Sequence, residues 1–97
     1  MTVKKDRIEA IIQKEVSSII QMELKDPKLG FITITDVTVT NDLSIAKIYV
    51  TFLGKQERID AGMKTLERSK GFIRSLLSKR MTIRKVPQLI FLYDESL

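Results

Sequence analysis

The sequence has no cysteine, no histidine and no tryptophan among its 97 residues. Without cysteine, the chain can form neither a disulfide bond nor a thiolate nucleophile. Without cysteine and histidine, it also lacks the usual ligands of structural zinc and the usual base of serine and cysteine hydrolases. We therefore expect a protein that is not an enzyme and holds neither a metal nor another cofactor.

Long apolar segments are missing as well. The longest strongly apolar run covers residues 89–93, whereas a bilayer-spanning helix needs about 20 apolar residues. Near the N-terminus, Asp6, Glu9 and Glu15 interrupt what would otherwise be the apolar core of a signal peptide. We expect a cytoplasmic protein that does not enter membranes. The length predicts a single domain over residues 1–97. We also expect a monomer.

Positive charge is concentrated in the second half of the chain. Residues 1–50 hold seven basic and seven acidic side chains, whereas residues 51–97 hold ten and five. Between Lys64 and Lys85 there are eight basic residues, and Glu67 is the one acidic residue among them. Such a cluster attracts polyanions and gains free energy when their counterions are released. It favours a nucleic acid as the partner, although a solvated helix face or an acidic protein partner would also account for it.

Two groups of residues are predicted to contact RNA. The first group is the basic cluster with the small residues inside it, and the second is a pair of lysines in an earlier loop. Phosphate contacts of this kind recognise the shape of an RNA more than its sequence. Base stacking is a minor expectation, because Phe52, Phe72 and Phe91 are assigned to the core. The candidate residues are Lys64, Arg68, Ser69, Lys70, Gly71, Arg74, Lys79, Arg80, Arg84 and Lys85, with Lys25 and Lys28 in the loop.

The first half of the chain predicts a helix followed by a hairpin. Isoleucine and valine recur at helical spacing over residues 6–24, and Asp6 with Glu9 has the spacing of a capping box. In residues 31–40, apolar and polar side chains alternate as in a strand. The alternation shifts by one residue near Thr35, which predicts a bulge. Residues 45–52 alternate as the return strand, after a loop longer than two residues.

The second half predicts a helical region and a last strand. A helix that ran unbroken after Gly54 would place Lys70 on its apolar side, next to Gly71. We therefore expect a break or kink at residues 69–71, with Ser69 capping the second helix; a lysine that reaches to the surface from a continuous helix is the alternative. Residues 82–93 are predicted to form an extended segment in which Pro87 marks either the start of regular pairing or an edge position. The predicted fold is α+β, with a three-stranded sheet packed against helices.

Four phrases of the sequence resemble the ribosome-binding factor A family, and the order of elements resembles a type II KH domain. The phrases are KDPKLG at residues 25–30, DLSIAKIYV at 42–50, GFIRSLL at 71–77, and VPQL at 86–89 with Phe91, Tyr93, Asp94 and Ser96. They occur in order over nearly the whole chain. The resemblance implies the element order α-β-β-α-kink-α-β. The GxxG loop of ordinary KH domains is missing, since no two glycines are three residues apart.

The resemblance also implies a function. Members of this family bind the immature 30S ribosomal subunit and its 16S rRNA, promote late maturation and rRNA processing, and support growth at low temperature. An assembly GTPase is implicated in their release. The alternative from another class is a module that docks an acidic protein through its basic face. A hydrolase built on Ser17 or Ser18 would have only lysine as a base.

Overall fold

The chain forms two layers, a three-stranded sheet and a pair of helices. The computed structural model describes residues 2–24, 26–82 and 85–96. The elements follow the order α1 (Thr2–Met22), β1 (Ile32–Val39), β2 (Ile45–Phe52), α2 (Gln56–Arg80) and β3 (Gln88–Tyr93). The sheet has the order β1-β2-β3, and both helices pack against it. The α+β prediction is confirmed.

Helix α1 buries one apolar face and begins earlier than the sequence predicted. It begins at Thr2, so Asp6 and Glu9 lie inside it and the predicted capping box is wrong. Glu9 instead accepts a hydrogen bond from the backbone N–H of Val39 at 2.8 Å, and Gln13 Nε2 donates to the carbonyl of Ile34 at 3.3 Å. Both contacts reach β1 from α1. The buried face consists of Ile8, Ile12, Val16, Ile19 and Ile20.

The hairpin of β1 and β2 is antiparallel and carries the predicted irregularity. Its register shifts between Ile34 and Asp36, which confirms the bulge. Because the bulge restores the alternation, Val37 and Val39 face the core together with Ile34. The connecting loop covers residues 40–44, with Leu43 at a φ of 60°. On β2, the alternate residues Ala46, Ile48, Val50 and Phe52 are all buried.

Helix α2 is a single helix over Gln56–Arg80, so the predicted break at Ser69-Lys70-Gly71 is wrong. Lys70 does not bury its charge on the apolar side, because its Nζ lies 2.7 Å from Glu67 Oε2 and its side chain is 31% exposed. Gly71 faces open space, since a Cβ atom built on it would meet nothing within 4 Å. Ser69 therefore lies in the helix interior and caps nothing. The surface-reaching lysine in a continuous helix is the correct alternative.

Strand β3 completes the sheet by pairing parallel to β2. It begins at Gln88, directly after Pro87, as the missing N–H of proline predicted. Leu89 lies opposite Ala46 and Phe91 opposite Ile48, and all four side chains are buried. A parallel pair needs a long crossover, and α2 provides it. The core therefore draws on all five elements.

Candidate RNA-binding surface

Helix α2 divides into a buried side and an exposed side. Its inner face, defined by the fully buried Leu66, Ile73 and Leu77, packs on the core. Its outer face is exposed and consists of Lys64, Arg68, Phe72, Ser75 and Lys79. These positions are three, four or seven residues apart, which places them along one side of a helix. The outer face is thus a ridge that carries three cations.

The three cations of the outer face form no ion pair with any residue that the structure describes. Within the described ranges, no carboxylate oxygen lies within 4.0 Å of the charged groups of Lys64, Arg68 or Lys79. Arg68 Nη2 lies 3.4 Å from the hydroxyl of Thr65, which is an uncharged group. Uncompensated cations in one row can neutralise the successive phosphates of a nucleic acid.

One predicted loop lysine lies beside this ridge. Lys28 lines a shallow groove together with Lys64 and Arg68, although it is far from them in sequence. The loop is held near α2 by Arg58, whose Nη1 donates to the carbonyl of Pro27 at 3.1 Å. The structure therefore brings this loop lysine and two outer cations together. The acidic residues of the same groove are Glu57, Asp60 and Glu67.

Arg74 is directed at the backbone of a neighbouring segment. Its Nη2 donates to the carbonyl of Val86 at 2.7 Å, and its Nε donates to the carbonyl of Pro87 at 3.1 Å. These two bonds tie α2 to the segment that leads into β3. A guanidinium in this position has fewer donors available for a phosphate.

Arg80 ties the two helices together. Its Nη1 lies 3.2 Å from Glu15 Oε1 and 3.1 Å from the hydroxyl of Ser18, and its Nη2 lies 3.7 Å from Glu23 Oε2. Its side chain is 29% exposed. Two acidic residues of α1 therefore offset the charge of Arg80, which the sequence placed in the RNA-binding group.

The remaining candidates are divided between the surface and the undescribed residues. Lys85 and Gly71 are exposed and Ser69 is half-buried. Lys70 is paired with Glu67 on the surface. Lys25 and Arg84 lie outside the described residues, so the structure gives no position for either of them.

Sequence reasoning missed three residues of this region. Lys55 and Arg58 line a second groove with Lys28, but they precede the basic cluster and were not assigned to it. Phe72 was assigned to the core, and that assignment is wrong, because its side chain is 49% exposed. On a continuous helix, position 72 does not lie on the apolar face formed by Leu66, Ile73 and Leu77. A prediction that assumed a continuous helix would therefore have placed Phe72 on the surface. Phe52 and Phe91 are buried as predicted.

Two carboxylates are held in their charged form by hydrogen bonds from hydroxyl groups. Hydrogen bonds from the hydroxyls of Ser44 and Thr40 lower the pKa of Asp42 to about 2. Hydrogen bonds from the hydroxyls of Ser96 and Thr35 lower the pKa of Asp94. A lowered pKa keeps a carboxylate charged at neutral pH, which is the opposite of what a general acid requires. These carboxylates organise turns.

Neither helix has the properties of a membrane span. Over the residues that the structure describes, no helix is both long enough and apolar enough to cross a bilayer.

Comparison with known proteins gives one consistent result. The family model described as ribosome-binding factor A matches residues 4–97. A ribosome-binding factor A of Staphylococcus carnosus is 52% identical over 92 residues, which are 95% of this chain and 80% of that protein. A second one, of Macrococcus caseolyticus, is 46% identical over 97 residues, which are 100% of this chain and 85% of that protein.

Solved structures agree with the sequence comparison. The crystal structure of ribosome-binding factor A from Thermus thermophilus superposes with a TM-score of 0.82 at 27% identity, covering 92% of this chain and 94% of that one. A homology model of the Thermus thermophilus factor, fitted into a cryo-EM map of its complex with the 30S subunit, gives a TM-score of 0.76 at 27% identity. That match covers 89% of this chain and 90% of the other.

Proposed function

Because this chain belongs to the ribosome-binding factor A family, we propose that it binds the immature 30S ribosomal subunit through 16S rRNA. The observation that carries the proposal is the row of cations on the outer face of α2, which form no ion pair with any described residue. Lys28 extends this row at one end of the helix. Phosphates are the groups that such a row fits best, and the fitted complex of the Thermus thermophilus factor supports the 30S subunit as the source of the RNA.

The proposed mechanism is binding without catalysis. Lys64, Arg68 and Lys79 contact phosphates and hold the rRNA against a helix that the core keeps in place. Such contacts recognise the shape of the folded rRNA, since phosphates carry no sequence information directly. Bound in this way, the protein favours the mature conformation of 16S rRNA and so promotes its late processing.

The wider role follows from the family resemblance. We propose that residues 1–97 act as a single KH-like ribosome-binding domain, as a monomer, in the cytoplasm where the subunits are assembled. We further propose that the factor matters most at low temperature, when misfolded rRNA escapes slowly, and that an assembly GTPase drives its release before translation.

The test is co-sedimentation with purified immature 30S subunits over a range of salt concentrations. A variant with Lys64→Gln, Arg68→Gln and Lys79→Gln loses three proposed phosphate contacts. We expect much weaker binding and a plot of log affinity against log salt that is shallower by about 2–3. The matched control replaces three exposed cations elsewhere, namely Arg7→Gln, Lys14→Gln and Lys47→Gln.

The control distinguishes binding at a specific surface from electrostatic attraction that depends only on the overall charge of the protein. Both variants lose the same charge, so equal weakening would show that overall charge, and not the outer face, drives binding. Normal binding by the outer-face variant would contradict the proposed surface. Binding that depends on a subunit protein and not on rRNA would favour the alternative, in which the basic face docks an acidic protein.

A further inference from the structure

Phe72 is an aromatic side chain that is not packed in the core. It lies in the middle of the outer face of α2 and is 49% exposed, whereas Phe52 and Phe91 are each 6% exposed. The inner face of the same helix already fills the core with Leu66, Ile73 and Leu77. Folding therefore does not account for an aromatic ring at this position.

The surroundings of Phe72 leave the ring accessible. Gly71 precedes it, and a Cβ atom built on that glycine would meet nothing within 4 Å. Ser75, one turn later on the outer face, is small and exposed. A flat group can therefore approach the ring without displacing a neighbouring side chain.

Cations flank the ring on both sides along the helix axis. Arg68 precedes Phe72 by four residues and Lys79 follows it by seven, which correspond to about 6 Å and about 10 Å of helical rise. Neither cation has a carboxylate partner among the described residues. An apolar partner surface would have to desolvate both charges, whereas a nucleotide strand brings phosphates to them.

These observations favour an unpaired nucleotide as the occupant of this site. Every base has a π-face that can stack on an aromatic ring, and its phosphates are the natural partners of flanking cations. An exposed ring between unpaired cations is how proteins commonly combine stacking with electrostatic attraction for single-stranded nucleic acid. A single ring is also too small for the extended apolar patch that marks a protein–protein interface.

We propose that Phe72 is a base-stacking platform, on which an unpaired base of the bound rRNA stacks while Arg68 and Lys79 contact the phosphates beside it. This inference rests on the proposed function, because it assumes that the outer face of α2 contacts rRNA. It adds a stacking contact to a surface otherwise defined by charge alone. It further states that the bound rRNA is single-stranded at this point.

The lack of tryptophan in the sequence allows a direct test. A Phe72→Trp variant carries a single tryptophan, whose emission is quenched when a base stacks on it. Titration with immature 30S subunits, and separately with 16S rRNA, should quench this emission. The control is Ile11→Trp, since Ile11 is 38% exposed and lies on α1 between the control positions Arg7 and Lys14, and its emission should stay unchanged.

Affinity measurements complete the test. Phe72→Ala and Phe72→Leu should both weaken binding by about 5- to 150-fold, whereas Phe72→Tyr should bind like the parent. The melting temperatures should stay close to that of the parent, because the ring is exposed. Normal affinity of Phe72→Leu together with an unquenched tryptophan would overturn the stacking proposal while the proposed function stands. Failure of the parent protein to bind either 30S subunits or rRNA would overturn both.

Discussion

The two faces of α2 have opposite properties although they share one helix. The inner face holds fully buried aliphatic side chains, and the outer face holds cations and an exposed aromatic ring. The basic residues of the sequence cluster are divided between these roles. Lys64, Arg68 and Lys79 remain uncompensated, while Arg74 and Arg80 form contacts within the protein. A basic cluster in a sequence therefore does not distinguish cations that form no ion pair among the described residues from cations that hold the fold.

The largest effect that tests this comparison is expected on the inner face. Leu77→Ala should lower the free energy of unfolding by about 2–5 kcal/mol, because it leaves a cavity in a fully buried position. The matched control is Leu53→Ala, the same change at a position that is 74% exposed, where we expect about 0.5 kcal/mol or less. Urea denaturation measures both. Similar losses for the two variants would contradict the assignment of the inner face.

The next largest effects are expected at two glycines of α2, where substitution by alanine should change the stability of the protein in opposite directions. On the inner side, a Cβ atom at Gly62 would overlap the ring of Phe52, so Gly62→Ala should destabilise the protein by about 1–3 kcal/mol. Gly71 faces open space within the helix, so Gly71→Ala should stabilise it by about 0.5–1 kcal/mol. Thermal melting distinguishes the two. A destabilised Gly71→Ala would show that the helix needs glycine there after all.

The neighbouring cations Lys79 and Arg80 give a smaller and sharper contrast. Arg80→Gln should cost about 1–2 kcal/mol, because the contacts with Glu15, Glu23 and Ser18 join α1 to α2 in a partly exposed position. Lys79→Gln should change stability by about 0.5 kcal/mol or less, and yet it should weaken binding to 30S subunits. Thermal melting and co-sedimentation of both variants test this contrast. Early melting of Lys79→Gln together with normal melting of Arg80→Gln would contradict the roles assigned to these two residues.

The smallest effect concerns a charged group outside α2 that is held by its own turn. The pKa of Asp42 is lowered to about 2 by the hydroxyls of Ser44 and Thr40. The pKa of Asp42 in the folded protein lies below its ordinary value of 3.8. The contribution of Asp42 to stability is therefore complete at pH values above the ordinary pKa, and it is lost as the pH falls through about 2. The backbone N–H of Ser44 lies 3.1 Å from Asp42 Oδ1, so its NMR signal should titrate with a midpoint near pH 2. A midpoint near 4 would contradict the turn geometry.

Local patterns in the sequence predicted the hairpin well and the second helix poorly. The slip in the alternation of residues 31–40 indicated the bulge, because a buried face tolerates no change of side. Lys70 and Gly71 suggested a break because the prediction followed the apolar stripe alone. The three-residue spacing of Glu67 and Lys70 is that of an ion pair on the surface of a continuous helix. The assumed break then grouped Phe72 with the core residues.

The sequence could not identify the roles of Arg74 and Arg80 for a different reason. The partners of Arg80 are Glu15, Glu23 and Ser18 on the other helix, and the partners of Arg74 are backbone carbonyls. Neither kind of contact leaves a local pattern in the chain. The exposed cations are therefore identified only by eliminating those that have partners in the folded protein.

The parallel pairing of β2 with β3 affects when the chain can complete its core during its own synthesis. Leu89 and Phe91 complete the core beside Ala46 and Ile48, but they follow the whole of α2 along the chain. At about 5–20 residues per second, a ribosome needs several seconds to proceed from the start of α2 to the end of β3. Throughout that interval the inner face of α2 lacks part of its support, so the outer face is not yet held in position. A nascent chain should consequently not present the outer face of α2 in its folded arrangement until β3 has left the exit tunnel.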